Sequence, residues 1–206
     1  MFPRTIGALV IAAATASTAK AGFIDFTGVT LSGSNPYTFN DPTAGEVTLA
    51  YSGGFRVEGI TTLFGGTSLV GLGSTAQPAT LTVSWETPVE SIDVRLYDLD
   101  LREYDDFEIA DGTSLSLVSA NPFGPGAPLD GLRVTGSTGD LPNGAANNFT
   151  AVRISGDAFT EFSVTFIRPG APSGAHAIGF GEFVVPAPGS VAVLGLAGLG
   201  AIRRRR

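Results

Sequence analysis

Along most of the chain apolar residues recur at every second position, and no stretch of helical length in its middle carries a 3.6-residue period. In "ATLTVSWE" Leu81, Val83 and Trp85 fall on one face, with Thr80, Thr82, Ser84 and Glu86 on the other. In "SIDVRLYD" Ile92, Val94 and Leu96 face inward, and Asp93, Arg95 and Tyr97 outward. "AVRISG" supplies Val152 and Ile154, and "EFSVTFIR" supplies Phe162, Val164 and Phe166. "AIGFGEFVV" alternates less cleanly, with Ile178, Phe180 and Glu182 set against Gly179, Gly181 and Phe183. Thr, Val, Ile and Phe dominate these runs, as strands prefer. Turn-forming clusters such as "GSNPYTFNDPTAG", "ANPFGPGAP" and "STGDLPNGAANN" separate them. Short strands at roughly ten-residue spacing, each with one apolar face to cover, predict an all-β fold, an antiparallel β-sandwich or jelly roll. No repeat at a solenoid or propeller period is present.

The turn chemistry predicts two hairpins. Thr87-Pro88-Val89-Glu90 is expected to turn the first, and Asp111-Gly112 the second, between "DFEIA" and "SLSLVS". "FTEFSVTF" is expected to pair with "HAIGFGEFVV" as the last two strands. This arrangement resembles a motif of many bacterial extracellular β-sandwich modules. In these, a strand after x-Pro-Val ends in Asp-hydrophobic-Asp. That resemblance implies a fold and no activity.

Charge is distributed unevenly. Residues 22–185 carry six arginines, no lysine and 19 acids, six less 19, or −13. Phosphate binding needs clustered Lys and Arg, so nucleic acid is excluded as a partner of this region. Adsorption to anionic lipid is disfavoured for the same reason. Cations or a neutral polymer suit it better. The chain has no cysteine, and therefore neither disulfides nor thiolate chemistry.

The densest charge lies in Asp98-x-Asp100-x-x-Glu103-x-Asp105-Asp106-x-Glu108, closing at Asp111, seven carboxylates offset only by Arg102. Calcium takes six to eight oxygens, largely from carboxylates and carbonyls on a loop that can wrap it. Asp98, Asp100 and Asp106 are the candidate calcium ligands: two on one strand end and one returning from the next. The spacing is not that of an EF-hand, whose glycine and terminal glutamate are missing. The alternative is a solvated acidic loop that keeps the protein soluble.

Other chemistry finds little support. A glycosidase needs two carboxyls at a set separation, one in an apolar pocket, and nothing in the sequence arranges that. His176 is the single histidine, without the cysteines or second histidine of a zinc site, and it is expected in an exposed turn, "PSGAHA". No Gly-x-Ser-x-Gly elbow accompanies it. Trp85 alternates with Leu81 and Val83 and so reads as core, whereas Tyr97 and Tyr104 are the aromatics expected outside, where sugars stack. Asn148 opens the sequon "NNFT", which reads as a turn entering a strand. No catalytic residue is assigned, and the chain is expected not to be an enzyme.

The two ends carry different information. "MFPRTIGALVIAAATASTAKAGF" has a basic start at Arg4, a short apolar stretch from Ile6 to Ala16, and Ala19-Lys20-Ala21 as a cleavage signal. Residues 1–21 are therefore expected to be a signal peptide cut after Ala21, with Ala19 as the alternative cut. Residues 183–202 are uncharged, Pro186 and Pro188 interrupt their first part, and Arg203, Arg204, Arg205 and Arg206 follow. A short transmembrane helix is expected over residues 190–202. Its arginines would stay in the cytoplasm and stop translocation, leaving the body outside. The prolines keep the neck extended, the form in which a peptide enters a protease cleft.

Val185-Pro186-Ala187-Pro188-Gly189, then the apolar run, then Arg203 to Arg206, resembles the PEP-CTERM sorting signal of Gram-negative-type bacteria. Here Ala187 replaces the middle glutamate. The resemblance implies recognition and cleavage by a membrane-embedded exosortase, after export by a Sec-type translocase and signal peptidase. It divides the chain into a signal peptide (1–21), a β-sandwich domain (22–182) and a sorting signal (183–206). It implies membrane contact only in the precursor, and a mature form at the cell surface or in the extracellular matrix of the biofilm. The expected body is a structural or adhesive module. A carbohydrate-binding module tethered to exopolysaccharide is the alternative, and a small envelope hydrolase a third.

Overall fold

The period-two runs become strands, and the longest of them pass straight through expected turns. A computed structural model describes residues 21, 22, 24, 26, 35–53, 56–61, 69–75, 78–97, 99, 102–136, 148–169 and 173–185. Among these lie β1 (Ala21–Gly22), β2 (Tyr37–Asp41), β3 (Gly45–Gly53), β4 (Arg56–Thr61), β5 (Leu69–Thr75) and β6 (Ala79–Tyr97). They are followed by β7 (Tyr104–Ile109), β8 (Thr113–Ser119), β9 (Leu129–Asp130), β10 (Arg133–Thr135), β11 (Phe149–Ile167) and β12 (Ser173–Val184). The protein is all-β. All pairings are antiparallel and join into one sheet, in the order β4-β5-β12-β6-β11-β7-β10-β9. Off that path β2 pairs β3, β3 pairs β6, β8 pairs β11 and β1 pairs β12. Ala21–Val185 forms a compact unit of its own. No helix occurs among the described residues, and none there is long and apolar enough to cross a membrane. The signal peptide before Ala21 and the helix expected over 190–202 lie outside the described residues.

β6 and β11 organise the sheet. Residues 79–85 of β6 lie between β3 and the C-terminal part of β11, whereas residues 91–97 lie between β12 and the N-terminal part of β11. β6 therefore changes one neighbour midway. Its buried positions change parity there too: Ala79, Leu81, Val83, Trp85 and Val89 are followed by Ile92, Val94 and Leu96. β11 answers with register breaks between Ser155 and Phe159 and between Phe159 and Glu161. A bulge adds residues to one strand and bends the pair. The size of the bend follows from a ring contact. Phe162 pairs with Val83 and Phe180 with Val94, eleven residues further along β6. A straight strand would hold those levels about 36 Å apart at ~3.3 Å per residue. The two ring centroids are 6.1 Å apart. The β6–β11 pair thus bends back on itself, and Phe26 bridges the two parts through Phe39 (5.3 Å) and Phe180 (5.6 Å).

The expected turn at Thr87-Pro88-Val89-Glu90 does not form; this is the bend inside β6. Proline is tolerated because no ladder partner is assigned to Pro88 on either side, so its missing N–H breaks no pairing. Asp111-Gly112 does turn the chain, with Gly112 at φ 80° and the Thr113 N–H donating to the Ala110 carbonyl at 3.1 Å. It makes a corner instead of the expected hairpin. β7 and β8 lie end to end along the same side of β11, one against Phe162–Ile167 and the other against Ala151–Gly156. "FTEFSVTF" and "HAIGFGEFVV" are not neighbours either, because β6 runs between them. His176 lies within β12, opposite Leu72 of β5, and not in a turn.

Candidate functional site

Two residue sets define the candidate sites: the acidic segment leading into β7, and the two ends of the body. Strand parity sorts the acidic segment. In "YDDFEI" Phe107 faces the core and stacks on Phe162 at 6.0 Å. Its parity carries Asp105 inward as well, and Glu103 just before the strand is also buried. Asp106 and Glu108 point the other way. Arg102 occupies the left-handed region at φ 67° as the chain turns into this strand.

Three carboxylates consequently live in three environments. Asp106 is held by Arg133 through both oxygens, Nε to Oδ1 at 2.7 Å and Nη2 to Oδ2 at 2.8 Å. The same guanidinium lies 4.0 Å above the Tyr104 ring. Glu103 is 1% exposed and takes an ion pair from Arg168 Nε at 3.1 Å. Its carbonyl accepts the Gly136 N–H at 2.9 Å. Asp105 is 0% exposed, and neither of its oxygens has a hydrogen-bond partner. Burial, then the charges of Glu103 and Asp106, push its carboxyl well above the usual carboxylate range.

Of the expected calcium ligands, Asp98 and Asp100 lie outside the described residues, and Asp106 has both oxygens engaged by Arg133. Among the described residues no three Asp, Glu or His side chains converge as a metal-holding group. The inward carboxylates Glu103 and Asp105 were missed as site residues. Extending the alternation backwards from Phe107 would have found them.

The aromatic side chains differ from expectation at one position. Trp85 is core, 5% exposed, edge-on to Phe159 at 5.6 Å. Tyr97, expected outside, is 1% exposed. The ring of Phe149, its cross-strand neighbour, covers it at 5.3 Å, and Arg95 caps that ring at 5.4 Å. Tyr104 lies beneath Arg133. Asn148 is buried directly ahead of β11, where its Oδ1 accepts from Asn121 Nδ2 at 2.7 Å, so the folded sequon is inaccessible.

At the ends of the body, Ala21 pairs with Val184 and Gly22 with Phe183. Val185 packs half-buried against the core. Ala19, Pro186, Ala187, Pro188, Gly189 and Arg203 to Arg206 lie outside the described residues.

No protein-family model matches the chain, and no curated protein matches it significantly.

Proposed function

We propose that this chain is an exported envelope or matrix protein, cut after Ala21 and sorted by exosortase-like processing at its PEP-CTERM-like C-terminal signal. Its body is a non-enzymatic β-sandwich that serves as a structural or adhesive module. The observation that carries the reading is in the sequence: an export signal at one end, and proline neck, apolar run and four arginines at the other. The body between them supports it. The strands next to the expected cuts are neighbours, Ala21 beside Val184, so both processing sites leave from one edge of the sheet.

The sandwich rests on the back-folding of β6 and β11 and on the Phe162–Phe180 contact. The non-enzymatic reading rests on the acidic segment. Asp105 has no surface through which a substrate could reach it, and Asp106 is tied to Arg133. The carbohydrate-binding alternative needs an open aromatic platform. Trp85 and Tyr97 are buried and Tyr104 lies under Arg133, which favours the structural module. A glycan array probed with the purified full-length chain separates the two. The structural reading expects no glycan bound above background, with or without calcium. Reproducible, competable binding of one exopolysaccharide class would transfer the assignment to the binding module.

A further inference from the structure

We infer that the Asp105 carboxylate, with the charge of Glu103 beside it, is the buried seat of a hard, oxygen-seeking divalent cation of the calcium class. The starting point is that nothing in the fold satisfies Asp105. Its cross-strand neighbours are Phe166 on β11 and Val134 on β10, both buried and apolar. The cations near it are committed elsewhere, Arg133 of β10 to Asp106 and Arg168 after β11 to Glu103. Both oxygens remain without a donor. An ionised carboxylate left dry in this way is strongly destabilising.

A proton would remove the charge but not the vacancy. A neutral carboxyl carries an O–H donor and a carbonyl acceptor, and neither finds a protein partner here. A hard cation engages both oxygens together and draws its remaining ligands from carbonyls and water. The charge balance of the segment accommodates a divalent ion: seven carboxylates between Asp98 and Asp111 face one arginine in the same stretch.

A second buried group points to the same end of the molecule. The Phe123 N–H donates to Asn121 Oδ1 at 3.0 Å, which fixes that amide. Asn121 Nδ2 then donates to Asn148 Oδ1, and Asn148 Nδ2 is left buried without an acceptor. Phe162 meets Phe180, whose neighbour on β6, Val94, pairs with Val152. Four residues onward from Phe162 lies Phe166, the partner of Asp105; four residues back from Val152 lies Asn148. A water bound to the cation is the acceptor that Asn148 lacks.

The inference stands apart from the export reading and fails separately from it. The test is thermal unfolding of the full-length chain at neutral pH, after chelation, with Ca2+ or Mg2+ added back. Ca2+ at a hundredfold excess over its Kd is expected to raise Tm by roughly 5–10 °C. Asp105→Asn should abolish that shift, and Asp106→Asn, at the surface, should keep it. No Ca2+ shift in the unsubstituted chain would overturn the inference, leaving the proton as the neutralising species. Asp105 would then stabilise the fold below its ordinary carboxylate range and lose that contribution as pH rises through its raised folded value. An equal Ca2+ shift in Asp105→Asn would also overturn it, by placing the ion elsewhere. If Asp105→Asn fails to fold, Glu103→Gln replaces it as the reporter, and an undiminished shift there would count against the site.

Discussion

Trp85 shows how one position can be legible while its neighbour in chemistry is not. Its alternation with Leu81 and Val83 marks it as core, and it packs against Phe159 and Phe162. Its indole N–H nevertheless has no partner. Trp85→Phe removes that orphan donor along with part of the ring, so the two effects offset, and a loss of about 1 kcal/mol is expected. Trp85→Ala leaves a cavity and should cost about 3–5 kcal/mol. Urea titration of both variants measures the difference, and equal losses would contradict this account of the indole. Asp105 was less legible. Two adjacent aspartates look like a solvated loop, and only the parity set by Phe107 turns one of them inward. Tyr97 misled for another reason. Alternation assigns a face, but not what covers it, and the ring that covers Tyr97 comes from Phe149, over 50 residues away.

At the scale of elements, strand existence was readable and strand ends were not. Turn residues in "ETPVE" and "ADG" marked real changes of direction. In the structure these are a bend within β6 and a corner between β7 and β8. Local sequence does not distinguish a hairpin from a bend, because the difference lies in which distant strand runs alongside. The continuous partner is β11, and its own bend falls opposite. Gly156, at φ 151°, sits there against the Gly112 carbonyl and Thr113 Cα, with no room for a Cβ. Gly156→Ala is therefore expected to cost about 2–4 kcal/mol, from a clash with backbone in a conformation that favours glycine. Gly126→Ala, which adds a Cβ into open space, should stay within about 0.5 kcal/mol. Chemical denaturation of the pair checks this, and a Gly156→Ala variant as stable as Gly126→Ala would show that the corner is looser than described. The outward faces on either side of the bend are tied by polar cross-strand pairs. Arg153 grips Asp93 at 2.6 and 2.9 Å, and Thr82 meets Ser163 at 2.7 Å. These pairs follow directly from the alternation that exposed them.

For the whole molecule, the body explains its own shape better than its purpose. Its interior is a run of ring contacts from Phe39 through Phe26, Phe180 and Phe162 to Trp85. The acidic surface keeps it from nucleic acid and anionic lipid. Delivery is where the proposal commits itself. Val184 is laddered to Ala21, and Val185 packs on the core, so a protease can reach extended chain only beyond Val185. The two cuts proposed here meet in one observable, the intact mass of the mature protein recovered from the envelope or medium of a Gram-negative-type host that carries the processing enzyme. The account predicts a chain that begins at Gly22 and ends after Val185 but before Arg203. A mature protein that still carries Arg206 would contradict it.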